Sequence, residues 1–156
     1  MTEEYASDLD KIVAKMQEAI IKEARETFSE EVVKRWLKPT NNGIMKDPDG
    51  TGCKIGTCGD TMEIYLKIKD NIIINAMFIT DGCGTTHATG SMVTDLAIDK
   101  SIREAMKISQ DTILNALGGL PEDSKHCALL ASDTLKDAIK DYFSHKNEPW
   151  KKVYRK

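Results

Sequence analysis

Apolar residues recur every three or four positions over the first stretch of the chain: Tyr5, Leu9, Ile12, Val13, Met16 and Ile20, with Glu, Asp and Lys between them. That spacing predicts an amphipathic helix over 3–26. The pattern then meets Thr27-Phe28-Ser29-Glu30-Glu31. Ser29 suits an N-cap, and Phe28 can staple against Val33 one turn on. A second helix is expected over 30–37, either separate or merged with the first into one rod. Pro39 ends it, and Lys38-Pro39-Thr40-Asn41-Asn42-Gly43 reads as loop.

Turn chemistry fills 47–59, with Asp47-Pro48-Asp49-Gly50 followed by Gly52, Gly56 and Gly59. From Met62 to Lys69 the period drops to two. Met62, Ile64, Leu66 and Ile68 take one face, and Glu63, Tyr65, Lys67 and Lys69 the other. Asp70-Asn71 reads as a tight turn. Ile72 to Thr80 is β-branched and apolar, so the two runs form an antiparallel hairpin. Gly82-Cys83-Gly84 closes the second strand. Helical spacing returns over 85–99, 101–107 and 110–117, and Gly118-Gly119-Leu120-Pro121 breaks it. A last helix is expected over 124–143, its inner face formed by Cys127, Leu130, Leu135, Ala138, Ile139 and Tyr142. The tail from Lys151 to Lys156 is basic and reads as frayed.

Composition narrows the function classes. A chain of 156 residues makes one domain with a real core. It carries 22 basic and 25 acidic side chains, a net charge of -3, which gives no reason to expect nucleic acid or a membrane as partner. No apolar run approaches a membrane span. The opening Met1-Thr2-Glu3-Glu4 is acidic, unlike a basic signal region. A cytoplasmic, reducing setting is therefore expected. There, four cysteines favour metal or redox chemistry over disulfides.

Three of those cysteines sit in glycine-rich or polar surroundings: Thr57-Cys58-Gly59-Asp60, Asp81-Gly82-Cys83-Gly84 and His126-Cys127. Structural cysteines usually lie among aliphatic residues. Each of these three falls at the end of an expected element, so the three thiols can converge at the rim of the sheet. Asp60 and His126 stand beside them as further donors. Spacing alone leaves two readings open, a structural zinc site and an iron–sulfur site. The carboxylate of Asp60 is a harder ligand than thiolate and holds iron–sulfur iron less firmly. Such a ligand suits a protein that gives its cluster away.

From Phe28 onward the chain resembles the IscU/NifU-type iron–sulfur cluster assembly scaffolds. Phe28-Ser29-Glu30-Glu31-Val32-Val33, Pro39 and Asn42-Gly43 look like the opening of that family. Gly50-Thr51-Gly52, Cys58-Gly59-Asp60, Gly82-Cys83-Gly84 and His126-Cys127 look like its motifs, in the same order. The resemblance covers residues 28–145. It implies an α/β (α+β) fold, a small antiparallel sheet of about three strands packed by helices, with a third strand around Lys54 that the local pattern does not show. It implies that Cys58, Cys83 and Cys127 are ligands of a 2Fe-2S cluster, with Asp60 and His126 beside them. Sulfur would come from a cysteine desulfurase and the cluster would go to acceptor proteins. Zinc would fill the same site in the cluster-free form. The protein would be a carrier and not an enzyme. The alternative is a zinc-bound sulfur-acceptor protein that activates a desulfurase. That branch carries an insertion after the second cysteine and lacks the histidine that His126 supplies here.

Beyond the resemblance, residues 146–156 form a basic C-terminal tail. Four departures set this chain apart. Residues 1–27 form an additional N-terminal helix, whose apolar stripe points to a homo-oligomer. Cys53 and His87 stand where aliphatic or small residues are usual, and they read as a bystander thiol and a satisfied histidine. Finally, Leu120-Pro121-Glu122-Asp123-Ser124 replaces a Leu-Pro-Pro-Val-Lys segment, which argues against recognition by a dedicated chaperone.

Overall fold

The structure, a computed structural model, describes residues 2–147, with side chains from Asp8 onward. The expected frayed tail at 151–156 lies outside the described residues. The elements run α1 (Thr2–Thr27), α2 (Glu30–Leu37), β1 (Gly50–Ile55), β2 (Thr61–Lys69), β3 (Ile72–Thr80), α3 (Gly84–Ala97), α4 (Ile102–Ala105), α5 (Gln110–Leu117) and α6 (Lys125–Asn147). A short 3-10 turn, Glu122–Ser124, leads into α6. The first two helices stay separate. Ser29 caps α2 by accepting from the Val32 amide at 3.2 Å, and its own hydroxyl donates to the Leu117 carbonyl. Phe28 turns its ring onto Trp36, with centroids 5.9 Å apart in a T-shaped pair.

The sheet is antiparallel in the order β1-β2-β3. Asp70 and Asn71 both take positive φ, 55° and 63°, as the expected two-residue hairpin turn requires. Met62, Ile64, Leu66 and Ile68 face the core as their alternation predicts. On β3 the alternation slips. The register shifts between Lys67 and Ile68, so Ile74 and Asn75 both point outward while Ile73, Ala76 and Phe78 point inward. A bulge in an otherwise apolar run leaves no local signal, because Ile suits either face.

β1 is the strand that local pattern reads as turn. Its glycines face α6. A Cβ at Gly52 would lie 2.3 Å from the Thr134 carbonyl oxygen and 2.6 Å from the Ala138 nitrogen. Glycine here lets the helix backbone rest on the strand. The core fills the space between the sheet and α3, α5 and α6, from Val32 and Phe78 to Leu135 and Ile139. Tyr142 packs against its edge.

The exposed edge of β3 is covered at both ends. Gly43 donates to the Phe78 carbonyl and Phe78 donates to that of Asn41, each at 2.9 Å. At the other end Ile73 donates to the Lys100 carbonyl and Ile102 to that of Asn71, also at 2.9 Å. The loop after α2 is held in place by Asp95, which accepts from Arg35 at 2.5 Å, Thr40 at 2.9 Å and Asn41 at 2.7 Å. Burial works against the charge on Asp95. The hydrogen bonds from these three donors outweigh it and hold the carboxyl below its ordinary range.

Among the described residues, α1 packs on the rest of the chain through its last turns, around Ala24 and the cleft formed with Val33, Trp36 and Leu37. The stripe of Leu9, Ile12, Val13, Met16 and Ile20 is exposed, with Ile12 at 55% and Met16 at 61%. Among the described residues no helix is long and apolar enough to cross a membrane.

Candidate functional site

One end of the sheet gathers the three chain segments that sequence singled out. The loop before β2 closes on itself: Gly56 donates to the Asp60 carbonyl at 2.7 Å and Gly59 to that of Gly56 at 3.0 Å. Gly59 adopts φ +83°, which an L side chain resists. Cys58 sits exposed at the tip of this loop. Cys83 is the N-cap residue of α3 and is also exposed. His126 and Cys127 lie in the first turn of α6, and Cys127 is 2% exposed.

These groups share one network. His126 Nε2 lies 2.9 Å from Cys58 Sγ and 3.6 Å from Cys127 Sγ. Thr86 Oγ1 donates to Asp60 Oδ2 at 2.9 Å and stands 3.5 Å from Cys127 Sγ and 3.7 Å from Cys83 Sγ. Thr85 Oγ1 lies 3.0 Å from Cys83 Sγ and 3.6 Å from Cys127 Sγ. All five expected residues are thus joined, through two threonines that sequence reading passes over. Thr85 and Thr86 are buried at the start of α3. Two hydroxyls directly after a Gly-Cys-Gly turn are the signal that points to them. Gly82 makes room for the junction, since a Cβ there would lie 2.7 Å from both Asp60 Oδ2 and Thr86 Oγ1.

The donors are gathered but not yet closed into a cage. Among the described residues no three His, Cys, Asp or Glu side chains are spaced to hold a metal ion as they stand. The buried hydroxyls of Thr85 and Thr86 lie between Cys83 and Cys127, and Cys58 sits apart from them on the exposed loop.

Two of the thiols have opposite tendencies. Burial raises Cys83, but the hydroxyls and first-turn amides of Thr85 and Thr86 outweigh it and bring the thiol below its ordinary value. Those amides face the sulfur without closing a capping hydrogen bond. Cys127 moves the other way. Burial pushes it up, contacts from Thr86 and Thr85 oppose this only in part, and the charges of Cys83 and Asp60 add to it.

Cys53 lies elsewhere. It pairs with Glu63 across β1 and β2, and burial together with the Glu63 carboxylate raises its pKa. Glu63 also accepts from Tyr65 Oη at 2.5 Å. His87 donates from Nδ1 to the Cys83 carbonyl at 3.0 Å and sets its ring edge-on to Phe78. Among the described residues, neither side chain hydrogen-bonds to a sulfur of the network. In the altered Leu-Pro segment, Leu120 is buried and Glu122 pairs with Lys125 at 2.6 Å.

Comparison with known proteins gives this geometry a family. A solved structure of a NifU-like protein (N-terminal) from Brucella abortus superimposes with a TM-score of 0.59 at 19% identity, covering 74% of this chain and 94% of that one. It supports the fold. An iron–sulfur cluster assembly scaffold protein IscU from Archaeoglobus fulgidus is 47% identical over 118 residues, 74% of this chain and 76% of its own length. The IscU scaffold protein of Aquifex aeolicus is 37% identical over 118 residues, with 74% and 75% covered. The sequence profile of the NifU-like N terminal domain matches residues 27–149. That match takes in all three cysteine segments, and the chain belongs to the NifU-like N terminal domain family.

Proposed function

We propose that this chain is a scaffold on which a 2Fe-2S cluster is assembled and from which it passes to acceptor proteins. What supports the reading most is the shared network of Cys58, Cys83, Cys127, Asp60 and His126, drawn from three separated segments. The scaffold names of relatives at 37% and 47% identity point the same way.

Iron and sulfur enter as substrates, with a cysteine desulfurase as sulfur source. Three thiols suit iron, and the harder Asp60 and the imidazole of His126 offer a weaker fourth position. Cys83 gives up its proton more readily than an ordinary thiol, whereas Cys127 holds its proton more tightly and must release it to become a ligand. Loading therefore releases protons and weakens as pH falls. Thr86 ties Asp60 to the α3 start, so the carboxylate is held beside the sulfurs and remains available to them. In the cluster-free protein the same donors suit zinc in a tetrahedral shell. A cytoplasmic location fits a site built on reduced thiols.

The test is anaerobic reconstitution with iron, sulfide and reductant. A visible absorption band of a 2Fe-2S centre is expected. It should vanish when Cys58, Cys83 and Cys127 are all replaced by Ser. No band in the wild type, or a band that survives the triple change, removes the proposal. Stoichiometric zinc with desulfurase activation and no cluster would instead favour the sulfur-acceptor reading.

A further inference from the structure

The exposed stripe of α1 has a chemically complementary groove on the same chain. At the opposite end of the sheet from the cysteines, α4 and the last turns of α6 flank a groove of about 460 Å³. Its walls include Ile102, Met106 and Phe143, and among the described residues its polar rim carries Arg103 and Lys146 but no acid. Met106 is 36% and Phe143 41% exposed, which is high for large apolar side chains at the base of a groove. Lys146 also reaches Asn71 of the hairpin turn at 3.5 Å.

The stripe on α1 is rimmed by the other sign. At about 100° per residue, Asp8 and Asp10 fall on the two sides of Leu9, and Glu23 and Glu26 lie along the far end of the stripe. Lys15 is the cation on that rim. Glu3 and Glu4 precede it in sequence. Asp8 holds a long, exposed pair with Lys11 at 3.9 Å. Two α1 helices paired antiparallel about the stripe would set Asp8 level with Ile21 and Lys22, and Asp10 level with Ala19. Self-pairing thus buries the apolar faces but gives Asp10 no cation. The groove supplies two, Arg103 and Lys146.

We propose that α1 of one copy docks its apolar stripe into the α4/α6 groove of a second copy, with Asp8 and Asp10 against Arg103 and Lys146. Because donor and acceptor surfaces differ, the contact is heterologous and continues into rings or short chains. β2 spans roughly 30 Å between the hairpin turn and the Cys58 loop, so the groove itself lies far from that loop. This inference is independent of what the sulfurs bind.

Sedimentation velocity of the full chain, reduced and metal-free, tests it with two variants at exposed positions. Ile12→Glu with Met16→Glu breaks the stripe, and Met106→Glu breaks the groove. The wild type is expected to sediment as a concentration-dependent assembly that high salt weakens. Each variant alone should be a monomer with unchanged circular dichroism, its association weakened by more than about tenfold. An equimolar mixture of the two should form a one-to-one dimer that grows no further, since one intact stripe and one intact groove remain. A monomeric wild type, or a mixture that stays monomeric, overturns the proposal. So does a Met106→Glu chain that still assembles, which would point to self-pairing of α1 or to a groove filled from the same chain beyond Asn147.

Discussion

His126 Nε2 lies 2.9 Å from Cys58 Sγ, although 68 positions separate the two residues. The contact ties an exposed loop tip to the first turn of α6. It links an exposed thiol, through one imidazole nitrogen, to the buried Cys127.

Removing that tether should free the loop. In His126→Ala, alkylation of Cys58 in metal-free protein is expected to run several-fold faster while Cys127 keeps its slow rate. Mass spectrometry of quenched time points gives both rates from one sample. An unchanged Cys58 rate would show that the ring does not restrain the loop.

Thr85→Val keeps the shape at the α3 start and deletes the hydroxyl 3.0 Å from Cys83 Sγ. The Cys83 thiol should then rise in pKa, and its alkylation at neutral pH should slow a few-fold. The rate against pH checks this directly: the midpoint should move up, and a midpoint that stays in place contradicts the role given to Thr85.

Asp60→Ala removes the weak donor that Thr86 holds beside the sulfurs. Transfer of a reconstituted cluster to an acceptor apoprotein should become slower. Faster transfer would mean that the carboxylate strengthens retention.

Gly52→Ala places a Cβ within 2.3 Å of the Thr134 carbonyl oxygen, which is helix backbone and cannot rotate away. A loss of about 3 kcal/mol in urea unfolding is expected, at the upper end of ordinary overpacking costs. Near-wild-type stability would show that α6 can shift away from the sheet.

Acid should loosen the loop after α2. The Asp95 carboxyl is held below its usual range, so its stabilising contribution is complete above the ordinary carboxylate pKa and is lost as pH falls through the depressed one. The stability gap between wild type and Asp95→Asn should be constant near neutral pH and shrink below about pH 4. Urea melts across that range measure it, and a gap that is flat down to strong acid would rule out the linkage.

The helices and the β2-β3 hairpin could be read locally because each has its own signature in a short window. Gln110–Leu117 matches its expected bounds, and Met62 to Ile68 keeps its alternation. β1 gave no such signal. A strand of Gly50, Gly52 and Cys53 has little apolar payload of its own, and its glycines make sense only once α6 lies across them. The bulge at Ile74 was hidden for the converse reason: Ile72, Ile73 and Ile74 suit either face alike, and one polar Asn75 does not fix where the alternation slips. The five candidate donors were legible as motifs, whereas Thr85 and Thr86 left only the hint of two hydroxyls after Gly-Cys-Gly, since a hydroxyl becomes part of a sulfur site only when folding sets it between two sulfurs.

Side-chain chemistry and periodicity along the chain therefore settled which residues carry donors, where helices cap and which face of β2 turns inward. These depend on neighbours a few positions away. Long-range packing settled how Cys83 and Cys127 come to differ, that Cys53 stands apart, and that the stripe of α1 faces solvent. Those properties come from burial and from partners tens of residues distant, and no local window contains either.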